Sequence, residues 1–478
     1  MSSENSQTKW GQFLPLISVF FFWGFVAASN DILIPVFKKA FDLTQGESQL
    51  VSLAFYVAYT VGSILYMLVS WLIKEDLTNK IGYKNGLALG LTISAIGTLL
   101  FYPAANTGSF PLMLSGLFIV GLGFSLQQTV ANPLAIALGT VQTASQRLTL
   151  AGGINNFGTT IGPLIVSFAI FGATAAESTD VSVESVKGPY LILGLAFLIV
   201  AVILKFSSLP DKPAIAEVSA ADALTEKKSA LHYPQLVMGM IAIFLYVGVE
   251  VATASNLPAY MEKDLGFKLQ DIAPYVSLYW ASLMVGRWTG AVEAFNLKAG
   301  MQKIFKFLAP YIAFGVFLMV NAIAKHDLTP FYVYGFVILI LIAADIASKG
   351  NPARMLLIFS VLGIAALLTG MSTSGMTSVY AFTSVGLFCS TLWPCIFTLA
   401  VSGLGNKTSQ GSNFLIMMIM GGGIISWLQG FIADETTIQA SYIVGVGCFA
   451  YLAFYAWKVS GILKKQGINF DTKISGGH

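Results

Sequence analysis

Apolar residues in this chain come in long unbroken runs, not in the stripes of a water-soluble helix or the alternation of a half-buried strand. A helix needs about 20 consecutive apolar residues to cross a bilayer. Six runs of that order lie near 11–36, 48–73, 85–104, 111–138, 147–173 and 189–208. Residues 209–233 then break the pattern. They are charged and Ala-rich and open with two prolines, so they read as a linker with room for one short amphipathic helix. Eight more apolar runs follow, near 234–262, 271–294, 305–325, 330–349, 353–371, 375–402, 408–432 and 438–459. The pattern predicts an all-α polytopic membrane protein of about 14 spans. Its expected parts are an N-terminal six-helix bundle over 1–208, the linker over 209–233, a second bundle over 234–463 and a tail over 464–478.

Positive charge orients the spans. With both termini placed in the cytoplasm, 19 of the 26 Lys and Arg residues fall on the cytoplasmic side. Outer loops hold six, namely Lys38, Lys39, Lys187, Lys263, Lys268 and Lys325, and Arg287 lies inside a span. Dropping one span would reverse every later loop and move Lys298, Lys303 and the basic tail outside. The second half therefore has two spans more than the first. The surplus is expected to be a hairpin at about 305–349, turning at Lys325-His326-Asp327-Leu328 and packed on the outside of the C-terminal bundle.

Composition agrees with burial in lipid. Hydrophobic residues make up 56% of the chain and charged residues 10%, against about 25% charged in soluble domains. A net charge of +3 gives no ground for a nucleic-acid partner. Cys389, Cys395 and Cys448 sit in apolar runs without metal-ligand spacing. His232, His326 and His478 lie outside the spans. Phosphate-binding loops, zinc-protease motifs and nucleophile elbows are missing from the sequence. The chain reads as neither an enzyme nor a cofactor or metal protein. No cleavage-site pattern follows the first run, which is expected to remain as a membrane helix.

Polar groups within the apolar runs are the candidate functional residues, because each is costly in a membrane unless it is used. Asn30 and Asp31 interrupt the first run. A carboxylate there either carries a proton between the two sides or pairs structurally near the outer end. Gln128 and Asn132 stand four apart on the fourth run, as do Asn155 and Thr159 on the fifth, where Asn156 is adjacent. Neutral amides offer both donors and acceptors, which suits sugar hydroxyls, and they equally suit interhelical bonds. Gly152, Gly153, Gly158 and Gly162 predict close helix packing. Glu250 and Arg287, on the seventh and eighth runs, are expected to neutralise each other as a structural or gating ion pair, with Thr253 and Asn256 further along from Glu250. Trp23, Tyr56, Tyr59, Tyr279, Trp280 and Trp393 are aromatic faces available for stacking on a pyranose ring or for helix packing. Asn413 completes the set of amides.

At these residues the chain resembles the fucose–galactose–glucose:proton symporter family of the major facilitator superfamily. The motifs are NDILIP, FYVAY, GYKNG, QQTVANP, RLTLAGGINNFGTTIGP, VGVEVATASNLPAYM, YWASLMVGRWTG, LWPCIF and TSQGSNFLIMMIMGGGIISWLQGFIAD. The resemblance covers nearly the whole chain apart from the hairpin, linker and tail. It implies two pseudo-symmetric bundles with a site between them, a proton-linked carboxylate at Asp31, and polar substrate groups at Gln128 and Asn155. Two departures matter. Fucose symporters carry Glu at the position of Gln128, and Gln cannot exchange a proton. They also carry Gln at the position of Gly152. The first departure places the chain nearer the glucose/galactose branch, the second removes a possible hydroxyl partner, and the hairpin with LAGGINNFG resembles the glucose transporters of the Bacteroides group.

The expectation is a monomeric hexose importer of a bacterial inner membrane, taking glucose or galactose by proton symport. The candidate substrate-binding residues are Asn30, Gln128, Asn132, Asn155, Asn156, Glu250, Asn256, Tyr279, Trp393 and Asn413. Alternatives are sodium coupling or uncoupled transport, another sugar such as fucose or N-acetylglucosamine, and a membrane sensor that binds sugar without moving it.

Overall fold

The computed structural model describes residues 8–42, 50–75, 77–139, 144–171, 186–211, 229–267, 269–295, 297–468 and 470. Within the predicted linker and tail, 212–228, 469 and 471–478 lie outside the described residues. The first half consists of α1 (Trp10–Ala40), α2 (Leu50–Leu72), α3 (Tyr83–Leu99), α4 (Phe110–Ala137), α5 (Ala144–Phe171) and α6 (Lys187–Lys205). The second half begins with α7 (Pro234–Lys263), α8 (Leu269–Ala291), α9 (Ala299–Ile323), α10 (Tyr334–Ser348) and α11 (Pro352–Ser372). It ends with α12 (Gly375–Cys389), α13 (Leu392–Val401), α14 (Thr408–Met417), α15 (Gly421–Glu435) and α16 (Ile443–Lys465). A helix occupies each of the apolar runs.

Among the described residues, twelve helices are long and apolar enough to cross a membrane. The protein is thus a multi-pass, all-helical membrane protein. α5 and α8, of 28 and 23 residues, are also long enough to span; α5 carries Arg147, Asn155 and Asn156, and α8 carries Asp271 and Arg287. Large apolar side chains on the periphery, including Ile192, Phe206 and Phe336, are more than two-thirds exposed and form the surface offered to lipid.

Several runs differ from unbroken spans, and proline explains two of the breaks. Pro394 has no N–H to give to the carbonyl four residues back, at Ser390, and the 375–402 run divides there into α12 and α13. Pro103 likewise frees the Leu99 carbonyl where α3 gives way to a short helix, Phe101–Thr107. The 408–432 run tightens into a 3-10 turn at Met418–Met420 between α14 and α15. The surplus pair begins earlier than expected, with α9 starting at Ala299.

Helix pairing repeats between the halves. α1 packs on α5, α2 and α3 both pack on α4, and α3 packs on α6. Correspondingly, α7 packs on α15, α8 and α11 both pack on α12, and α11 packs on α16. The correspondence requires passing over α9 and α10. These two lie against the flank of the second half, α9 on α8, and α10 on α11 and α12. Lys306 and Asp345 join them by an ion pair at 3.0 Å, in which Asp345 is 4% exposed. Tyr334 fastens α10 to Ser282 of α8 at 2.8 Å.

Small residues set the spacing. A methyl on Gly24 would lie 1.9 Å from the Asn155 carbonyl oxygen, and one on Gly158 would lie 2.3 Å from that of Phe21. α1 and α5 therefore meet backbone to backbone, the contact favoured where lipid gives no hydrophobic drive between helices. At the start of α5 the fully buried Arg147 donates Nε to the Ala135 carbonyl at 3.1 Å and another N–H to that of Ile136. These are terminal carbonyls of α4, which lack helical donors.

Candidate functional site

A cavity opens midway along the helices, where the two halves face each other. Its walls are Ala27 and Ala28 of α1, Ser52 and Tyr56 of α2, and Asn155, Asn156 and Thr159 of α5. From the second half come Glu250, Val251, Ala254 and Ser255 of α7 and Trp280 of α8. About 80 Å3 is open to the centre of a water molecule. Two buried polar atoms of the lining have no protein partner: Trp280 Nε1, a donor, and Asn156 Oδ1, an acceptor. Such groups are rare inside proteins because each forfeits its hydration. Asn155 is held by its Nδ2, which donates to the Phe20 carbonyl at 3.0 Å. The Thr159 and Thr160 hydroxyls donate to the Asn156 carbonyl at 2.9 and 2.8 Å and fix that turn of α5. Pro258 leaves the Ala254 carbonyl without a helical donor, adding an acceptor to the same wall.

Glu250 continues into a chain of polar contacts leading away from the cavity. Tyr246 lies one turn earlier on α7, and its hydroxyl donates to Glu250 Oε2. Arg287 Nη2 donates to the Tyr246 hydroxyl at 3.3 Å. The expected Glu250–Arg287 pair is thus joined through a phenol instead of by direct contact, because Arg287 is committed elsewhere. Its Nε donates to the Ser390 carbonyl at 2.9 Å, the group freed by Pro394, and its Nη1 to the Gly152 carbonyl at 3.1 Å. Trp288 Nε1 donates to the Gly153 carbonyl at 3.3 Å. Gly152 and Gly153 belong to α5, so both bonds cross between the halves. A Cβ at these positions would lie 3.0 Å from Arg287 Nη1 and 2.8 Å from Trp288 Cδ1, and glycine lets the donors reach the backbone. The glycine cluster therefore serves two contacts, Gly158 toward α1 and Gly152–Gly153 toward α8.

Several further contacts between the halves lie toward the same end. Trp10 stacks on Phe295 at 5.3 Å. The Thr129 hydroxyl donates to Asn413 Oδ1 at 3.4 Å, and Asn413 Nδ2 donates to the Ser63 carbonyl at 3.2 Å. The Thr60 hydroxyl donates to the Met417 carbonyl at 2.8 Å. Hydrogen bonds between the halves cluster toward the end holding the N-terminus of α1, and beside the cavity α2 packs on α15, where Gly422 and Gly423 approach Tyr56 and Leu53.

Of the sequence candidates, Asn155, Asn156 and Glu250 come together on the cavity. Asn30 and Asp31 lie on α1, but their side chains fall outside the described residues. The others stand behind the walls. Gln128 Nε2 donates to the Tyr59 hydroxyl at 3.1 Å. Asn132 is buried, with Nδ2 unpartnered. Asn256 Nδ2 donates to Ala252 of its own helix at 2.9 Å. The Tyr279 hydroxyl donates to the Glu250 carbonyl at 2.8 Å. Trp393 packs 6.2 Å from the Tyr246 ring, and Asn413 bridges the halves. Of the aromatics, Tyr56 and Trp280 line the cavity, whereas Trp23 Nε1 donates to Gln127 Oε1 at 2.9 Å. Sequence reading missed Ser52 and Ser255, which are chemically ordinary, and the Lys306–Asp345 pair, whose members are 39 residues apart.

Residues 16–326 match the Major Facilitator Superfamily. The chain is 34% identical over 459 residues to a glucose/galactose transporter of Brucella abortus, covering 95% of each chain. It is 27% identical to an L-fucose-proton symporter of Escherichia coli, covering 93% of this chain and 92% of that one. The solved structure of the transporter FucP in the outward conformation superposes with a TM-score of 0.67 at 26% identity, covering 94% of this chain and 98% of that one. The chain belongs to the Major Facilitator Superfamily, in the branch that holds these glucose/galactose transporters and fucose–proton symporters.

Proposed function

We propose that this protein carries a hexose, glucose or galactose, across a bacterial inner membrane by alternating access, driven by proton entry. The carrying observation is the mid-height cavity between the halves, with one unpartnered donor, one unpartnered acceptor, the four further amide and hydroxyl residues Asn155, Thr159, Ser52 and Ser255, and the rings of Trp280 and Tyr56. Sugars bind through hydroxyls that both donate and accept, and through C–H faces that stack on aromatic rings. Mid-membrane placement between repeats is where secondary transporters hold their substrates. The named activities of the Brucella and E. coli relatives support the substrate class and the proton.

In this reading the chain has 14 spans, namely the twelve apolar helices plus α5 and α8. Residues 1–208 and 234–463 form the two bundles, linked by 209–233, with both termini cytoplasmic. α9 and α10 are the inserted hairpin, supported by the helix pairing that matches only when they are omitted. The bonded end is then cytoplasmic, and the cavity faces outward. Asp31, on α1 with Ala27 and Ala28 of the cavity wall, takes the coupling proton. Asn155, Asn156, Trp280 and Tyr56 hold the sugar, while Gln128, Tyr279, Trp393 and Asn413 hold the helices that carry them.

Isothermal titration of the purified protein with glucose, galactose, fucose and N-acetylglucosamine tests the substrate. Saturable binding of glucose or galactose, weakened by Asn156→Ala and Trp280→Ala, is expected. Binding of none of the four would overturn the sugar reading.

A further inference from the structure

We propose that Glu250 is a coupling carboxylate, whose protonation from the cavity releases the Arg287–Gly152 contact that closes the opposite end. The inference deepens the transport reading above and rests on it. Glu250 lines the cavity, so water there can deliver a proton to its carboxylate. From that carboxylate two hydrogen bonds in series, through Tyr246, reach Arg287. The same guanidinium then crosses to the Gly152 carbonyl of the other half. One side chain thus reads the charge in the cavity and holds the halves together.

Charge determines the direction of the effect. While Glu250 is ionised, it draws the Tyr246 proton toward Oε2 and leaves the phenol oxygen to accept from Arg287. Bonds arranged in series strengthen one another in this way. Arg287 is 8% exposed and relies on that negative charge. Once a proton occupies the carboxylate, the phenol has no anionic acceptor and the buried guanidinium has no counter-charge, a costly state. The guanidinium is relieved by moving to water, which it gains when its end of the interface opens and Gly152 is released. The halves then rock, and the proton leaves Glu250 for water on the newly opened side. The element so biased has two arrangements, bonded and parted, which a ligand-dependent switch requires.

The titratable groups around Glu250 are few among the described residues. α8 presents Tyr279 and Arg287. Cys389 of α12 lies within electrostatic reach, with Cys448 of α16 behind it. Tyr442, ahead of α16, donates to the Thr253 carbonyl. Across the cavity stands Tyr56 of α2. None of these is a carboxylic acid or a histidine, so within this set Glu250 is the one carboxylate.

Thr149, on α5 near the closed end, is 5% exposed. In a Thr149→Cys chain reconstituted with its cavity side outward, a hydrophilic maleimide enclosed in the vesicle lumen reports opening of this end, and the buried native cysteines give the background. As external pH falls from about 8 to about 6, labelling, divided at each pH by that of the same chain unfolded in detergent to correct for the falling thiolate fraction, should rise by roughly tenfold per unit above the midpoint of a single carboxyl. Glu250→Gln and Tyr246→Phe should each give high labelling that pH does not change, and Glu250→Asp should restore the dependence. If labelling of Glu250→Gln and Tyr246→Phe follows pH as the parent does, the relay is refuted. The sugar reading is tested separately by hexose binding. Binding with pH-independent labelling of the parent removes the relay alone, and pH-gated labelling without hexose binding removes the sugar alone.

Discussion

Replacing Trp280 by Phe isolates one hydrogen bond and separates binding from stability. The indole Nε1 has no protein acceptor, although the residue is only 9% exposed and lines the cavity. Deleting that N–H therefore breaks no bond in the empty protein. A sugar hydroxyl that accepts from it loses a neutral hydrogen bond, a net of about 0.5–1.5 kcal/mol. The affinity should fall roughly 2- to 13-fold, since 1.4 kcal/mol is a factor of ten. The melting temperature should stay close to that of the parent. Trp23→Phe is the matched control, because its Nε1 donates at 2.9 Å to Gln127, whose own Nε2 donates to Ser94 at 3.0 Å. There the substitution leaves a buried carbonyl oxygen unsatisfied, at a cost of about 1–3 kcal/mol of stability, with affinity unchanged. Calorimetric titration with glucose and galactose, and thermal melting of both variants, make the comparison. Unchanged affinity in Trp280→Phe, or an equal loss in Trp23→Phe, would refute the assignment of the cavity as the sugar site.

Three further expectations follow. Asp31→Asn should abolish pH-driven accumulation while leaving sugar exchange between equal pools, and undiminished accumulation would remove Asp31 from coupling. Lys306→Met strips from Asp345, 4% exposed, the ammonium it faces at 3.0 Å, and should destabilise by about 3–5 kcal/mol. Adding Asp345→Leu should recover part of the loss, and melting that matches the parent in both variants would show that the pair carries no stability. Burial in the α9–α10 turn, partly offset by the charge of Asp271, holds the His326 imidazole below its ordinary 6.5. The unfolded chain therefore takes up the proton first, so stability present above about pH 6.5 is lost as pH falls through the folded value. His326→Gln should flatten that acid limb in melting curves, and an unchanged limb would contradict the burial argument.

The runs of apolar residues were legible because every helix here must cover about 30 Å of hydrocarbon, whichever way it faces. Rotation about each helix axis was not. Gln128, Asn132 and Asn155 look alike as amides in apolar sequence. Which of them meets the cavity depends on how closely α1 approaches α5, and that is set by Gly24 and Gly158 acting together from different helices. The small wall residues Ala27, Ala28, Ser52 and Ser255 carry no chemical signal, since their contribution is the space they leave. Glu250 and Arg287 stood out as charges, but the phenol between them is a tyrosine among eighteen. The anchor at Ser390 follows from a missing N–H at Pro394, a consequence readable from sequence once the helix is known to run through it. The pairing of Lys306 with Asp345 needed the hairpin itself, because no local pattern brings together residues at opposite ends of two helices.

The central claim is concentrative hexose transport driven by protons. It is tested most directly by uptake of radiolabelled glucose into proteoliposomes of the purified protein, with an inward pH gradient and no sodium. Accumulation above the outside concentration, abolished by a protonophore, is the predicted result. Entry that stops at the outside concentration, or that needs sodium, would contradict proton coupling, and no entry of either glucose or galactose would contradict the assignment as a hexose carrier.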